Sequence, residues 1–191
     1  DGATRQLTSG EVGEIYPRYT PDGASVVLHT WNAPRRIGRV ARTGGPVTWL
    51  SFGESASDTF ADVSPDGQTL AFVRADRDAE RIYTAPASGG TPRLLTPSPG
   101  TLPRWSPDGS TIAFAADRAY SGGIFIVGAD GQGQRQITRD GGWPVWWPDG
   151  KRIGYLALGR DGNARIRVTT VEDGTTRTLD QLERVAEIGP F

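Results

Sequence analysis

The chain contains no cysteine and no methionine, and among its 191 residues there is one histidine, His29, and one lysine, Lys151. Without cysteine there is no disulfide and no thiolate metal site. With one histidine, a multi-histidine metal centre is impossible within the chain, and a Ser-His-Asp relay would have to run through His29. No apolar run approaches the roughly 20 residues of a membrane-spanning helix. Neither sign of charge dominates: Lys and Arg total 21, Asp and Glu 22, and the formal net charge is −1. A dedicated nucleic-acid binder would carry a basic face or stripe, so neither a nucleic-acid partner nor a membrane span is expected. The near absence of lysine beside abundant arginine suggests GC-rich coding and hence a bacterial source, and an extracytoplasmic location is compatible with it. The first residue, Asp1, reads as the start of a mature form or of an excised piece.

Glycine and proline are plentiful, at 26 and 14 residues. They make up about a fifth of the chain, well above the roughly 12 % of average usage. With six tryptophans and 36 % hydrophobic residues, this describes a folded, turn-rich protein. The turns are periodic. Pro-Asp-Gly recurs at nearly even spacing, at 21–23, 65–67, 107–109 and 148–150. Two residues before each proline stand Tyr19, Val63, Trp105 and Trp146. After each glycine comes a strand-like triplet: Val26 to Leu28, Leu70 to Phe72, Ile112 to Phe114, Ile153 to Tyr155. Its middle residue is small in Ala71, Ala113 and Gly154, which lets neighbouring sheets approach closely. A third strand carries Ile37, Ile82, Ile124 or Ile166, and at one constant interval after each stands Leu50, Leu95, Ile137 or Leu179.

Each unit therefore reads strand, Pro-Asp-Gly turn, strand, variable loop, strand, Gly turn, strand. Proline presets φ, aspartate bonds to nearby backbone, and glycine takes the positive-φ position. Four short strands in a period of about 40–45 residues form a propeller blade. The expected fold is all-β: one β-propeller domain over 1–191, with four four-stranded antiparallel blades that are part or half of a larger ring. A solenoid ranks below it, because no period carries a helix signal; only residues 180–187 suggest a helical turn. Arg5 to Thr8 matches Arg93 to Thr96, so the chain is expected to open on a fourth strand. Glu187 to Pro190 matches Glu14 to Pro17, the stub of a further inner strand. Terminal faces left in water by such an arrangement predict self-association, with two chains closing into an eight-blade ring.

The run from Leu102 to Phe114, Leu-Pro-Arg-Trp-Ser-Pro-Asp-Gly-Ser-Thr-Ile-Ala-Phe, closely resembles the WD-like repeat of the TolB family of bacterial propellers. The Gly89-Gly90 turn followed by Arg93-Leu94-Leu95-Thr96 belongs to the same pattern. The resemblance covers essentially the whole chain and implies a six- to eight-bladed parent. Such repeats serve the periplasmic Tol-Pal component, the gating propellers of prolyl-oligopeptidase-like peptidases, and sensor regions of bacterial kinases or winged-helix regulators. This chain departs from the Tol component in having four repeats and no separate α/β domain.

No motif carries catalysis. There is no phosphate-binding Gly-x-x-x-x-Gly-Lys-Ser/Thr loop and no Gly-x-Ser-x-Gly elbow. Asp76 to Glu80 lacks the glycine and spacing of a calcium loop and reads as a solvated charged hairpin. His29 reads as a packed or surface residue. The residue three before each turn proline, Arg18, Asp62, Arg104 or Val145, lies on the opposite strand face from the Trp row and approaches the channel. Trp143 and Trp147 form an extra aromatic pair by the last inner strand. Arg18, Asp62, Arg104, Trp143 and Trp147 are thus the candidate binding residues. The expected function is non-catalytic: a binding or scaffold module for a protein or peptide ligand, with no cofactor and no metal. The alternatives are the gating propeller of a serine peptidase without its catalytic domain, or a sensor propeller of a kinase or transcription regulator.

Overall fold

The structure, a computed structural model, describes residues 4–9, 13–50, 57–76, 79–119 and 121–179. Sixteen strands and no helix occur among them, in four separate four-stranded antiparallel sheets, each a simple meander. The first blade holds β1 (Glu14–Tyr19), β2 (Ser25–Thr30), β3 (Ile37–Ala41) and β4 (Thr48–Leu50). The second holds β5 (Ser57–Val63), β6 (Thr69–Asp76), β7 (Ala79–Pro86) and β8 (Arg93–Leu94). The third holds β9 (Thr101–Trp105), β10 (Thr111–Ala115), β11 (Ile124–Gly128) and β12 (Arg135–Gln136). The fourth holds β13 (Gly142–Trp146), β14 (Arg152–Leu158), β15 (Ala164–Thr170) and β16 (Thr176–Thr178).

The Pro-Asp-Gly turns join the first two strands of every blade. In the second blade, Gly67 N donates to Ser64 O at 2.7 Å, and Asp66 Oδ1 accepts from Gln68 N at 3.0 Å. Ser64 Oγ donates to the same carboxylate and accepts from Thr69 N at 2.9 Å. Thr20 and Ser106 repeat this clamp in the first and third blades. These bonds hold the carboxyls of Asp22, Asp66 and Asp108 below the usual carboxylate range, the hydroxyl contact being the largest cause. In the fourth blade Trp147 occupies the hydroxyl position, and Arg152 Nε bonds Asp149 Oδ2 at 2.9 Å instead. The constant interval from each third-strand isoleucine to the next aliphatic residue is a hydrogen-bonded step. Leu95 N reaches Ile82 O at 2.9 Å, Ile137 N reaches Ile124 O at 2.8 Å, and Leu179 N reaches Ile166 O at 2.9 Å.

Strand alternation gives each blade two unlike faces. Leu70 and Phe72 of β6 bury against Val27, Ile37 and Leu50 of the first blade. Ile112 and Phe114 of β10 bury against Ala71, Val73 and Ile82 of the second. Ile153 and Tyr155 of β14 bury against Ala113, Ala115 and Ile124 of the third. Bulky side chains on the second strand thus face the preceding blade, and the small middle residue faces the following one. Trp105 joins the cluster between the second and third blades, and Trp146 the cluster between the third and fourth.

Contacts join β2 to β5, β6 to β9 and β10 to β13, and among the described residues none of similar extent closes β14 on β1. The two end faces register the gap. Ile37, Ile82 and Ile124 are 0 % exposed, whereas Ile166 at the same repeat position is 50 % exposed. Tyr19 is 68 % exposed where its equivalent Val63 is 8 % exposed.

Residues 5–8 do not form the expected outer strand: among the described residues no third strand lies beside them to pair with. The segment still takes the place of one. Leu7 packs on Val26, Leu28 and Val40, and Leu7 O accepts from Gly45 N at 3.2 Å. Arg5 Nη2 donates to Arg42 O at 2.6 Å. Its repeat equivalents make the same latch onto the following blade, Arg93 to Ala129 O at 3.5 Å and Arg135 to Val171 O at 2.8 Å. The expected strand stub at 187–190 and the helical turn at 180–187 lie outside the described residues, as do positions 77–78 of the charged hairpin.

The unequal burial of one repeat position is directly measurable. Ile124→Ala is expected to cost roughly 2–5 kcal/mol, the range for a fully buried aliphatic truncation. Ile166→Ala, with half its surface already wet, should cost less than about 1.5 kcal/mol. Urea unfolding midpoints of the two variants test this, and equal losses would mean that the last blade's outer face is covered.

Candidate functional site

The inner strands β1, β5, β9 and β13 line the axis, and every one carries an irregularity at the same place. The register slips between Ile15 and Arg18, between Thr59 and Asp62, between Ala113 and Ala115 opposite β9, and between Gly142 and Val145. The residues at the slip are Tyr16, Phe60, Leu102 and Trp143, with φ of 56°, 53°, 56° and 57°. A non-glycine residue in the left-handed region costs on the order of 1–2 kcal/mol, so all four blades accept strain to aim a large side chain inward.

The four side chains meet. Tyr16 lies edge-on to Phe60 with centroids 4.6 Å apart, and stacks on Trp143 at 5.5 Å. The first and fourth blades thus touch across the axis through aromatic rings. His29, at the end of β2, stacks on Tyr16 at 5.3 Å and stands edge-on to Phe60 at 5.3 Å. Leu102 belongs to the same cluster. Arg118 lies over Phe60 at 4.6 Å and is paired with Glu80 of the second blade. Elsewhere in the second blade, Arg74 and Asp58 form an ion pair at 2.8 Å, with the guanidinium over Phe72 and Tyr83. The result is an aromatic floor on the axis, with the guanidinium of Arg118 against its Phe60 edge.

Two residues further along each inner strand comes a polar layer. Asp62 sits opposite Ala71 on the face turned to the third blade, and its Oδ2 accepts from Trp105 N at 2.9 Å. The carboxylate thereby caps the N–H of the next inner strand. Burial nevertheless pushes its pKa up, with Arg104 and Arg18 pulling the other way. Arg104 sits opposite Ala113, is 8 % exposed, and donates through Nη1 to Pro103 O at 2.7 Å. Its Nε has no hydrogen-bond partner. Burial lowers its pKa to about 10, against the favourable charge of Asp62 and assisted by repulsion from Arg18. Arg18 belongs to the first blade and Arg104 to the third, so they sense each other only across the axis. Val145 completes the layer at 48 % exposure.

Asp62 and Arg104, with the exposed Arg18 acting on both charges, are therefore brought together. The aromatic pair is not. Trp143 joins the axial floor, whereas Trp147 lies at the turn, over Gly154 and under Arg152, whose guanidinium is 5.4 Å from the ring. A Cβ on Gly154 would stand 2.7 Å from the Trp147 ring. The four-residue step from Trp143 to Trp147 crosses from the inner end of β13 to its turn end, which separates the two rings. Sequence reading missed Tyr16, Phe60 and Leu102 as partners of Trp143. The available signal was position: each stands immediately before Pro17, Ala61, Pro103 or Pro144.

A polar recess of about 390 Å³ between the second and third blades, lined by Asp66, Arg93, Trp105 and Asp108 among others, belongs to the turn end. Its two carboxylates are already engaged by their own turns. Among the described residues, no group of three or more His, Asp or Glu is placed to hold a metal ion, and no helix is long and apolar enough to cross a membrane.

His29 gives this site a pH signature. The ring is 2 % exposed, Nδ1 donates to Thr30 O at 3.0 Å, and Nε2 has no partner. Burial lowers its pKa, with Arg35 and Arg118 adding to the effect and the Thr30 carbonyl opposing it. The folded protein then binds fewer protons than the unfolded chain just below the ordinary histidine value of about 6.5, so stability falls as pH drops through that value. Urea midpoints between pH 7.5 and 5.5 should decline in the native protein and stay flat in His29→Phe, which keeps the ring stack and loses the titration. A slope that survives in the variant would assign it to another group.

No family model matches the chain. An uncharacterized protein of Agrobacterium fabrum is 29 % identical over 175 residues, covering 85 % of this chain and 57 % of that protein. The uncharacterized peptidase YuxL of Bacillus subtilis is 32 % identical over 130 residues, covering 61 % of this chain and 20 % of its own length. The Tol-Pal system protein TolB of Xanthomonas campestris is 33 % identical over 116 residues, covering 58 % and 26 %. The chain thus spans little more than half of the first of these relatives and about a quarter or less of the others. Among solved structures, a putative TolB from Agrobacterium tumefaciens superposes with a TM-score of 0.81 at 24 % identity, over 93 % of this chain and 65 % of that one. A puromycin hydrolase superposes with a TM-score of 0.68 at 20 % identity, over 91 % and 32 %. In fold, the chain is four consecutive blades of a TolB-like β-propeller.

Proposed function

We propose that the chain is a non-catalytic binding propeller that takes a protein or peptide segment at its axis. The observation that carries this reading is the repeated left-handed residue. Four strained positions converge Tyr16, Phe60, Leu102 and Trp143 on one spot, with the charged layer of Arg18, Asp62 and Arg104 directly behind it. Strain concentrated at one place in a fold is characteristic of functional sites. Aromatic rings beside arginines are the composition of interaction hot spots. Among solved structures of the same fold is the nidogen/laminin complex, with a TM-score of 0.72 at 18 % identity, over 90 % of this chain and 66 % of that one. Selection of random peptides displayed on phage against the purified chain tests the reading. Enriched peptides should bind Trp143→Ala at least about tenfold more weakly, as for a buried hot-spot aromatic. Peptides that bind both forms alike would move the interaction away from the axis.

A second reading is the gating propeller of a serine peptidase. It is favoured by the likeness to YuxL and to puromycin hydrolase. The full-length gene separates the two. An α/β-hydrolase segment with a Gly-x-Ser-x-Gly elbow supports gating, and an attached kinase, winged-helix or secretion segment supports a sensor or scaffold.

The same reading includes assembly. Supporting this are the exposed Tyr19 on the first blade and the exposed Ile166 on the last, faces that two copies meeting head-to-tail would cover. Light scattering should give twice the 20.5 kDa chain mass, and Ile166→Asp should return a monomer. A native monomer that binds no apolar dye would show that four blades satisfy themselves.

A further inference from the structure

The polar layer on the axis is out of charge balance. It holds two guanidinium groups, the exposed one of Arg18 and the buried one of Arg104, and one carboxylate, Asp62. One oxygen of that carboxylate, Oδ2, already accepts from the backbone N–H of Trp105. Arg104 is nearly fully buried, yet its hydrogen bonding consists of one contact to the carbonyl of the residue before it, and its Nε is unpartnered. Neither Arg18 nor Val145 brings an acceptor to it. Removing a guanidinium from water without a bonded counter-charge is costly, and Asp62 in the second blade offsets only part of that cost. The other strand positions in this layer could have carried a second carboxylate; they carry Arg18 and Val145 instead.

We propose that this layer is a carboxylate-binding site, in which Arg104 and Arg18 receive the carboxylate of an acidic residue or a chain terminus in a peptide bound at the axis. The assignment rests on the axial binding reading above and names the group that the axis selects. A carboxylate fits for three reasons. An arginine fork offers two parallel N–H donors at carboxylate spacing. A single negative charge balances the layer's net single positive charge, whereas a phosphate dianion would overshoot and meet Asp62. The aromatic floor lies only two residues along each inner strand, so a peptide placing a carboxylate on Arg104 sets a neighbouring side chain on Tyr16 and Trp143.

The test uses the ¹⁵N-labelled chain at constant ionic strength. The reporter is the backbone amide of Trp105, which bonds Asp62 within the layer. Three probes are titrated: sodium acetate, a blocked Ser-Gly-Asp-Gly-Ser peptide, and its Asn counterpart. Acetate and the Asp peptide should shift the Trp105 resonance saturably, and the Asn peptide should not. Arg104→Gln should weaken both by at least about tenfold, the effect of losing a hydrogen bond to a charged group. Arg104→Gln removes a buried charge and should leave the spectrum dispersed; Arg104→Lys, which keeps the charge without the fork, is the second variant and should also weaken binding. Arg135→Gln, on an outer strand, should bind as the native chain does. An acetate response unchanged by Arg104→Gln, or none in the native chain, overturns the site and leaves Nε to a buried water. If axis-selected peptides bind with no need of Arg104 or of an acidic residue, the carboxylate assignment falls and the peptide-binding reading stands. If acetate binds through Arg104 while no peptide does, the site stands and the peptide-binding reading falls.

Discussion

No blade can bury both of its own faces. A four-stranded sheet has two sides, and each is covered only by a neighbour, so the unit of stability in this molecule is the junction between blades rather than the blade. The alternation of large and small side chains on the second strands serves that junction. Bulky Leu70, Phe72, Ile112, Phe114, Ile153 and Tyr155 point back to the preceding blade, and small Ala71 and Ala113 receive the following one. Gly154 follows the same rule for a different reason. No described blade lies beyond it, and its missing side chain makes room for the Trp147 ring. The first blade responds similarly at the other end, where Leu7, Val47 and Trp49 lie over Val26, Leu28 and Val40. Both end faces are therefore partly clothed by residues of their own blade, and Tyr19 and Ile166 mark what remains bare.

What the sequence made legible is what repetition encodes. The Pro-Asp-Gly spacing located four turns, and the constant step from isoleucine to the next aliphatic residue located a hydrogen-bonded pair in the outer half-blades. Alternation placed the Trp row and the Arg18, Asp62, Arg104 row on opposite faces of the inner strands. What stayed hidden varies in residue type while keeping its geometry. Tyr16, Phe60, Leu102 and Trp143 share a backbone conformation that glycine usually announces, and none of them is glycine. Their convergence depends on a register slip, which a one-dimensional pattern does not contain. The Arg5, Arg93 and Arg135 latches were visible as a repeated residue, but the carbonyl that each one reaches lies 36 or 37 positions away in the next blade. Trp147 was visible as an anomaly. It stands apart from Trp143 because the residue it replaces is a turn hydroxyl, and a turn side chain stays at its turn.

The repeat also explains why the axis can be specialised without harming the fold. At the blade junctions, Ile82, Ile124 and Phe72 sit in sites where even one methylene matters. At the axis, the position before each turn proline by three is occupied by Arg18, Asp62, Arg104 and Val145, four residues with little in common. Only Asp62 has a structural role there, capping Trp105 N; its neighbours in the layer are free of that duty. The fold thus leaves three of the four equivalent inward positions without a structural duty. Chemistry placed at such positions answers to something other than packing, and in this chain it consists of positive charge held close to an aromatic floor. A buried arginine with an unpartnered Nε would weaken an ordinary core. On an axis that the fold leaves open to variation, the same group is an acceptor-seeking site held in place by strands that do not depend on it.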